Sequence, residues 1–449
     1  MHVRPSWAAA SAFLCLPAVL SADSVVNSAA AAVSPAASPP TMNPGDTSFV
    51  LVATALVLLM TPGLAFFYGG MVRKKNVLST IMQSFLMLGL ITVVWILLGY
   101  SLAFSPGSYL GNLIGDFGFA GLRGVDCKVD ASLAPTIPHL LFMAFQMKFA
   151  IITVALISGA MADRMRFKPF LLFAILWSLL IYAPVCRWVW GPHGFLKDRG
   201  VLDFAGGTVV HILAGFSALT AAILIGPRKG LGEQNMLPHN TTMVMLGAGL
   251  LWFGWFGFNA GSALGANETA VWAFVNTNAA AAAAMVTWIG AEWWMHDRPT
   301  ALGAASGCVA GLATVTQAAG YITPLWALAL GAIASPLCIA AISAKNRFGY
   351  DDSLDVFGVH GLGGVIGCLA TGLLATKTIN PAGADGLFYG GTELWKAQAL
   401  AFVVVAAFAV VGTAVLFKAI DWTLGFRVSS RDEELGLDLT QHSEAGYEI

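Results

Sequence analysis

Charge is what this sequence has least of. Its 449 residues include 23 Lys and Arg and 24 Asp and Glu, so 10% is charged and the formal net charge is −1. An ordinary soluble domain carries roughly 25%. A soluble fold of this length needs charge over its surface, and 57% of the residues are hydrophobic. That composition excludes a soluble globular protein and a disordered chain. The lack of any basic block argues against nucleic acid as a partner. Cysteine is also scarce. There are six, with no CxxC and no His/Cys cluster, so neither a disulfide framework nor a metal site is expected. Cys15 falls in the N-terminal segment, and Cys186, Cys308, Cys338 and Cys368 lie in or beside apolar runs. Only Cys127 sits in a polar loop; a Cys127–Cys186 bridge is conceivable, but free thiols are favoured. No Ser/Asp/metal arrangement points to an intramembrane enzyme, and no cofactor is called for.

What is abundant is apolar sequence broken by glycine: mean hydropathy is +0.75, and 49 residues are Gly. Together these suit closely packed transmembrane helices. Residues 1–22 read as a secretory signal, with Arg4 as the positive region, Trp7 to Leu20 as the apolar core and Ser21-Ala22 as small residues for cleavage. An uncleaved first helix is the other reading. Residues 23–42 then form a flexible tail, rich in Ala, Ser and Pro from Asn27 to Pro40. Beyond it come eleven apolar runs long enough to cross a ~30 Å hydrocarbon core: roughly 47–69, 78–103, 138–161, 169–189, 204–226, 241–263, 270–294, 300–319, 323–344, 355–376 and 395–425. Only helices satisfy their own backbone groups there. The transmembrane domain is placed at 43–426 and a cytoplasmic C-terminal region at 427–449. Thirteen Lys and Arg, from Arg73 to Arg431, fall in the loops after odd-numbered runs and the tail; only Arg123, Lys128, Lys197, Arg199 and Lys377 follow even-numbered runs. This bias puts the mature N-terminus outside and the C-terminus in the cytoplasm, which agrees with a cleaved signal.

Eleven divides into five, five and one. The fifth run opens LDFAGGTVVH (Leu202 to His211) and the tenth LDVFGVH (Leu354 to His360). The first and sixth echo each other as FFYGG (Phe66 to Gly70) and FGFNAGS (Phe256 to Ser262). Five is odd, so the second set must be inverted, and inverted repeats place a substrate site near the midplane. His211 and His360 occupy matching places there. Ionisable residues at that depth are costly and point to function. Desolvated imidazoles stay uncharged at neutral pH, and two of them can hydrogen-bond each other while still offering a guest one donor and one acceptor. Two separate histidines, each satisfied by a carbonyl, is the plainer alternative. Asp203 and Asp355 stand at helix starts and read first as N-caps, with an electrostatic contribution second. Phe145 and Phe149 share a helix face, Trp190 follows the fourth run, and Phe258 precedes Asn259 and Ser262. An aromatic face beside a hydroxyl suits a small cation.

Residues 43–449 resemble the ammonium transporter family (Amt/Mep/Rh), the Amt branch above all. The resemblance is carried by TPGLAFFYGGMVRKKNVLS (Thr61 to Ser79), DFAGGTVVHILAGFSAL (Asp203 to Leu219), GWFGFNAGSA (Gly254 to Ala263), FVNTNAAAA (Phe274 to Ala282) and DVFGVHGLGG (Asp355 to Gly364). It implies an all-α polytopic membrane protein of Amt-like fold and a homotrimer in the plasma membrane, each protomer with its own pore. It implies that Trp190 and Ser262 bind ammonium at the outer face. Phe149 and Phe258 would gate the pore with Phe145 nearby, and His211 and His360 would be the twin histidines of a proton relay. Tyr182, Asp203 and Thr316 match positions that shape or support the outer site and the pore. The tail GLDLTQHSEAGYEI resembles a cytoplasmic segment that couples protomers and can dock a PII-type signalling protein.

Two departures stand out. Lys148, in FQMKF, replaces an uncharged residue; a fixed cation there would repel ammonium by about 4 kcal/mol at 4 Å and an effective dielectric of 20. It is therefore expected to face away and snorkel toward the interface. The tail reads HSEAGY where the family tends to have HGE and then AY. The expected function is ammonium recruitment outside, deprotonation, and conduction of ammonia, with the proton either relayed through the histidines or returned. An ammonium sensor with little flux, and a channel for another small neutral molecule such as carbon dioxide, are the alternatives.

Overall fold

A computed structural model describes residues 41–447. The expected signal peptide with Cys15, and the tail as far as residue 40, lie outside the described residues. Each of the eleven apolar runs is a helix: α1 (Pro44–Met71), α2 (Lys74–Phe104), α3 (His139–Met161), α4 (Phe167–Val189), α5 (Gly207–Ile225), α6 (Thr241–Gly261), α7 (Glu268–His296), α8 (Ala301–Val315), α9 (Pro324–Phe348), α10 (Phe357–Leu374) and α11 (Thr392–Leu424). All but α8 are long and apolar enough to span a bilayer. Among the described residues the sheet content is one short antiparallel ladder, β1 (Ser108–Tyr109) with β2 (Ile114–Gly115), in the loop after α2.

Helix α8 is shorter than its apolar run. At 1.5 Å per residue, its 15 residues rise about 22 Å. It stops at Val315 because the chain closes into turns, Ala318 N–H on Val315 C=O at 2.9 Å and Tyr321 N–H on Ala318 C=O at 2.8 Å. Asn276 of α7 then donates its amide to the carbonyls of Ala319 and Ile322 at 2.8 and 2.7 Å. A side chain thus satisfies groups that a continuing helix would satisfy itself.

The five-five-one division governs the packing. The opening helices of the two halves, α1 and α6, lie against each other, so close that a Cβ on Gly63 would stand 3.0 Å from Leu250 Cβ. The closing helices, α5 and α10, cross where Gly215 meets the backbone of Gly361. Each begins with a π-helical turn, Gly207–Ile212 and Phe357–Gly361. Such turns concentrate at functional sites, and these two hold His211 and His360.

At the end of the bundle where α1 meets α2, buried ions tie the loops together. Asp163 accepts from Arg73 at 3.0 Å and Arg228 at 3.5 Å, and Arg228 also pairs with Asp351 at 2.9 Å. The fully buried Arg164 donates to the carbonyls of Gly226 and Asp351, at 2.7 and 2.6 Å. Two short helices, α12 (Ser430–Leu435) and α13 (Leu437–His442), fold back onto this end. Asp438 accepts the N–H groups of Leu78 and Ser79 at 3.0 and 2.8 Å. Cys127 is exposed, Cys186 is buried, and both are free, so the conceivable bridge is not formed.

Candidate functional site

At the opposite end a vestibule of about 490 Å³ opens between α3, α4, α6 and the loop before α5, with Phe145, Gln146, Phe149, Trp190, Asp203 and Ser262 on its walls. A chain of hydrogen bonds positions the tryptophan. Asp203 is buried, and its carboxylate accepts four backbone N–H groups: Gly206 at 2.7 Å, Gly207 at 2.8 Å, Thr208 at 2.9 Å and Val209 at 3.0 Å. This caps the π turn, where orphan donors face the carboxylate. Burial pushes the Asp203 carboxyl up to about 6 against the downward pull of those four bonds. The carbonyl of Asp203 in turn accepts the Trp190 indole N–H at 2.8 Å. Ser262 donates its hydroxyl proton to Phe258 C=O at 2.8 Å. With that donor used, its oxygen lone pairs are left for a guest that brings N–H groups. Gln146 also lines the vestibule, and its side-chain carbonyl is buried with no partner.

The floor of the vestibule is aromatic. Phe149 stacks on Phe258 with ring centroids 4.3 Å apart and planes at 29°, while Trp190 and Phe145 meet Phe149 edge-on at 5.6 and 5.0 Å. Beneath the stack lies a cavity of about 10 Å³, walled by Met60, Leu64, Ile152, Leu156, Val210, Leu251, Trp255, Phe258 and the two histidines. That is close to the least that holds one water. Here the imidazoles of His211 and His360 meet, Nδ1 to Nδ1 at 3.2 Å with planes at 12°. One Nδ1 must donate and the other accept, so the two Nε2 atoms are one acceptor and one donor. His211 Nε2 is buried without a protein partner. Trp255 lies parallel to the His211 ring, centroids 5.5 Å apart at 16°.

The structure thus brings Phe145, Phe149, Trp190, Asp203 and Ser262 to one mouth, stacks Phe258 beneath Phe149, and joins His211 to His360 below. Of the other expected residues, two need correction and one acts only indirectly. Tyr182 lines neither cavity; it is buried among Trp95 and Trp177. Thr316 lines neither; its hydroxyl accepts the Trp255 indole N–H at 2.8 Å and so reaches the pore only through that ring. Asp355 is not the cap of α10. Its backbone sits at φ +59°, which turns its carboxylate onto Lys345. Asp352 takes the cap instead, accepting Phe357 N–H at 2.7 Å. Lys148 is half-buried and lines neither cavity. The sequence alone does not single out Trp255 or Gln146; GWFGF holds Trp255 in plain view, but one Trp among 14 carries no signal of its own.

A bundle of this kind, with an aromatic mouth above a small apolar cavity, defines a multi-pass helical membrane protein. The family follows from comparison. Residues 48–447 match the Ammonium Transporter Family. The chain is 50% identical to an ammonium transporter of Bacillus subtilis over 409 residues, 91% of this chain and 99% of that one. It is 47% identical to an ammonium transporter of Mycobacterium tuberculosis, over 90% of each. Among solved structures, Saccharomyces cerevisiae Mep2 superposes with a TM-score of 0.83 at 33% identity, over 91% of this chain and 92% of that one. This chain belongs to the ammonium transporter family.

Proposed function

We propose that the protein recruits ammonium at the vestibule, strips one proton from it, and passes ammonia across the membrane past the Nε2 edges of His211 and His360. The observation that carries this reading is the imidazole pair, in Nδ1–Nδ1 contact at 3.2 Å inside a nearly closed apolar cavity. The steps follow from the chemistry of the walls. Trp190 supplies a ring face for the cation, and the lone pairs of Ser262 and the carbonyl of Gln146 accept its N–H groups. Phe149 and Phe258 keep the way down closed to a hydrated ion. An unpaired ion taken into such a passage costs at least several kcal/mol. Ammonium escapes that cost by losing its proton, which passes to the histidine pair or returns to the water outside, at about 1.4 kcal/mol for each unit between its pKa and the ambient pH. Potassium, of similar size, has no proton to lose. The acceptor Nε2 then receives one ammonia N–H and the donor Nε2 binds the lone pair, so the neutral molecule crosses with two of its four hydrogen-bonding positions met.

The protomer is placed in the plasma membrane with the vestibule and N-terminus outside and the tail in the cytoplasm, which the Lys and Arg bias supports. The family resemblance supports a homotrimer and a tail that couples protomers and can meet a PII-type protein. The test is uptake into proteoliposomes carrying the purified protein. Ammonium-driven flux above that of empty liposomes is expected, and equal flux in the two refutes the reading. Current during that uptake separates a relayed proton from a returned one.

A further inference from the structure

Two charged side chains line the vestibule, Asp203 and Lys197. The carboxylate of Asp203 is committed to four N–H groups. Lys197 is not committed in that way. It is exposed, its Nζ reaches only the carbonyl of Trp190 at 3.4 Å, and among the described residues no carboxylate lies within 4.0 Å of it. Its backbone is held in place, with the amide on Trp188 C=O at 3.0 Å and the carbonyl accepting Gly200 N–H at 2.9 Å. A tethered ammonium therefore hangs at the rim of a mouth proposed to collect ammonium, beside the very tryptophan that would hold it.

We propose that Lys197 sets the concentration range over which the protein works: its positive charge, fixed at the rim beside Trp190, opposes the arriving cation and holds apparent affinity below what the aromatic site alone would reach. The inference rests on the transport reading above. Because the repulsion acts on charge and not on shape, it weakens every monovalent cation equally and leaves turnover beyond the mouth untouched. Taken at about 1 kcal/mol, the repulsion of two unit charges 4 Å apart in bulk water, it amounts to about fivefold in affinity, and to more where the mouth excludes water. It is also screened by salt, since the Debye length falls from about 10 Å at 0.1 M to about 3 Å at 1 M.

The experiment measures uptake of labelled methylammonium, and its competition by ammonium, in proteoliposomes carrying the wild-type chain, Lys197→Gln, Lys197→Arg or Lys197→Glu. At low ionic strength Lys197→Gln should lower KM about fivefold or more at unchanged maximal rate, by the same factor for both substrates. Lys197→Glu should lower it further, Lys197→Arg should match wild type, and 1 M of an impermeant salt should bring all four together. Equal KM for wild type and Lys197→Gln overturns the inference. So does an arginine variant that behaves like the glutamine one, since packing and not charge would then be at work. A wild-type chain without flux refutes the transport reading and this inference with it; flux with equal KM throughout refutes the inference alone.

Discussion

Gly364 offers a way to disturb the histidine pair without touching either ring. It lies on α10 against the π turn of α5, where a Cβ would stand 2.8 Å from Gly207 O, 2.8 Å from Ile212 N and 3.0 Å from His211 Cβ. Two of those neighbours are backbone, so no flexible side chain can swing aside. Gly364→Ala must push the helices apart by about half an ångström to restore ordinary contact, and overpacking of this kind costs about 1–3 kcal/mol. The Nδ1–Nδ1 distance of 3.2 Å then passes beyond about 3.5 Å, where a hydrogen bond is largely lost. Misplacement by 1 Å can cost about a hundredfold in rate, so half of that predicts about a tenfold fall. The assay is initial methylammonium uptake in proteoliposomes, normalised to folded protein by size-exclusion recovery. A well-folded variant with wild-type uptake refutes the argument that contact between the rings governs passage.

Other outcomes follow from the same geometry. His211→Asp puts an ionisable carboxylate where a neutral imidazole stood; it should admit potassium, and an intact potassium block would count against the histidine filter. Lys148→Met should leave uptake nearly unchanged, because Lys148 lines neither cavity; a large gain in apparent affinity would show that it senses the pore. Arg228→Met leaves Asp163 and Asp351 buried without their shared partner, and should cost about 3–5 kcal/mol, read as a lowered Tm in detergent. Burial pushes the Asp351 carboxyl up, but hydrogen bonding to Arg228 and the charges of Arg164 and Arg228 outweigh it and hold it below 3.8. Its stabilising share is therefore present above about pH 4 and lost on further acidification, so the Tm gap between wild type and Arg228→Met should narrow there.

The spans were legible because an apolar run of some 20 residues has one way to satisfy its backbone in a membrane. Their number and the five-five-one order came with that, and so did the matched histidines. Helix α8 was overestimated because its end is set by Asn276 from another helix, which local hydropathy cannot register. The π turns at His211 and His360 arise from how α5 and α10 press together, and no side-chain period announces them. Asp355 and Asp352 are three residues apart, and which one caps α10 depends on a positive φ that the letters do not reveal. Tyr182 enters through the resemblance alone, and packing buries it against Trp95 and Trp177. Lys197 counted only toward loop charge, since nothing in GPHGFLKDRG says that its turn leans over Trp190.

The central claim is that neither ammonium nor potassium crosses the pore as an intact ion. Its most direct test is a parallel measurement on one proteoliposome preparation, recording transport and current during equal pulses of ammonium, methylammonium and potassium. Ammonium and methylammonium should both be taken up, and potassium should give neither flux nor current. A potassium current through the wild-type protein would contradict the account.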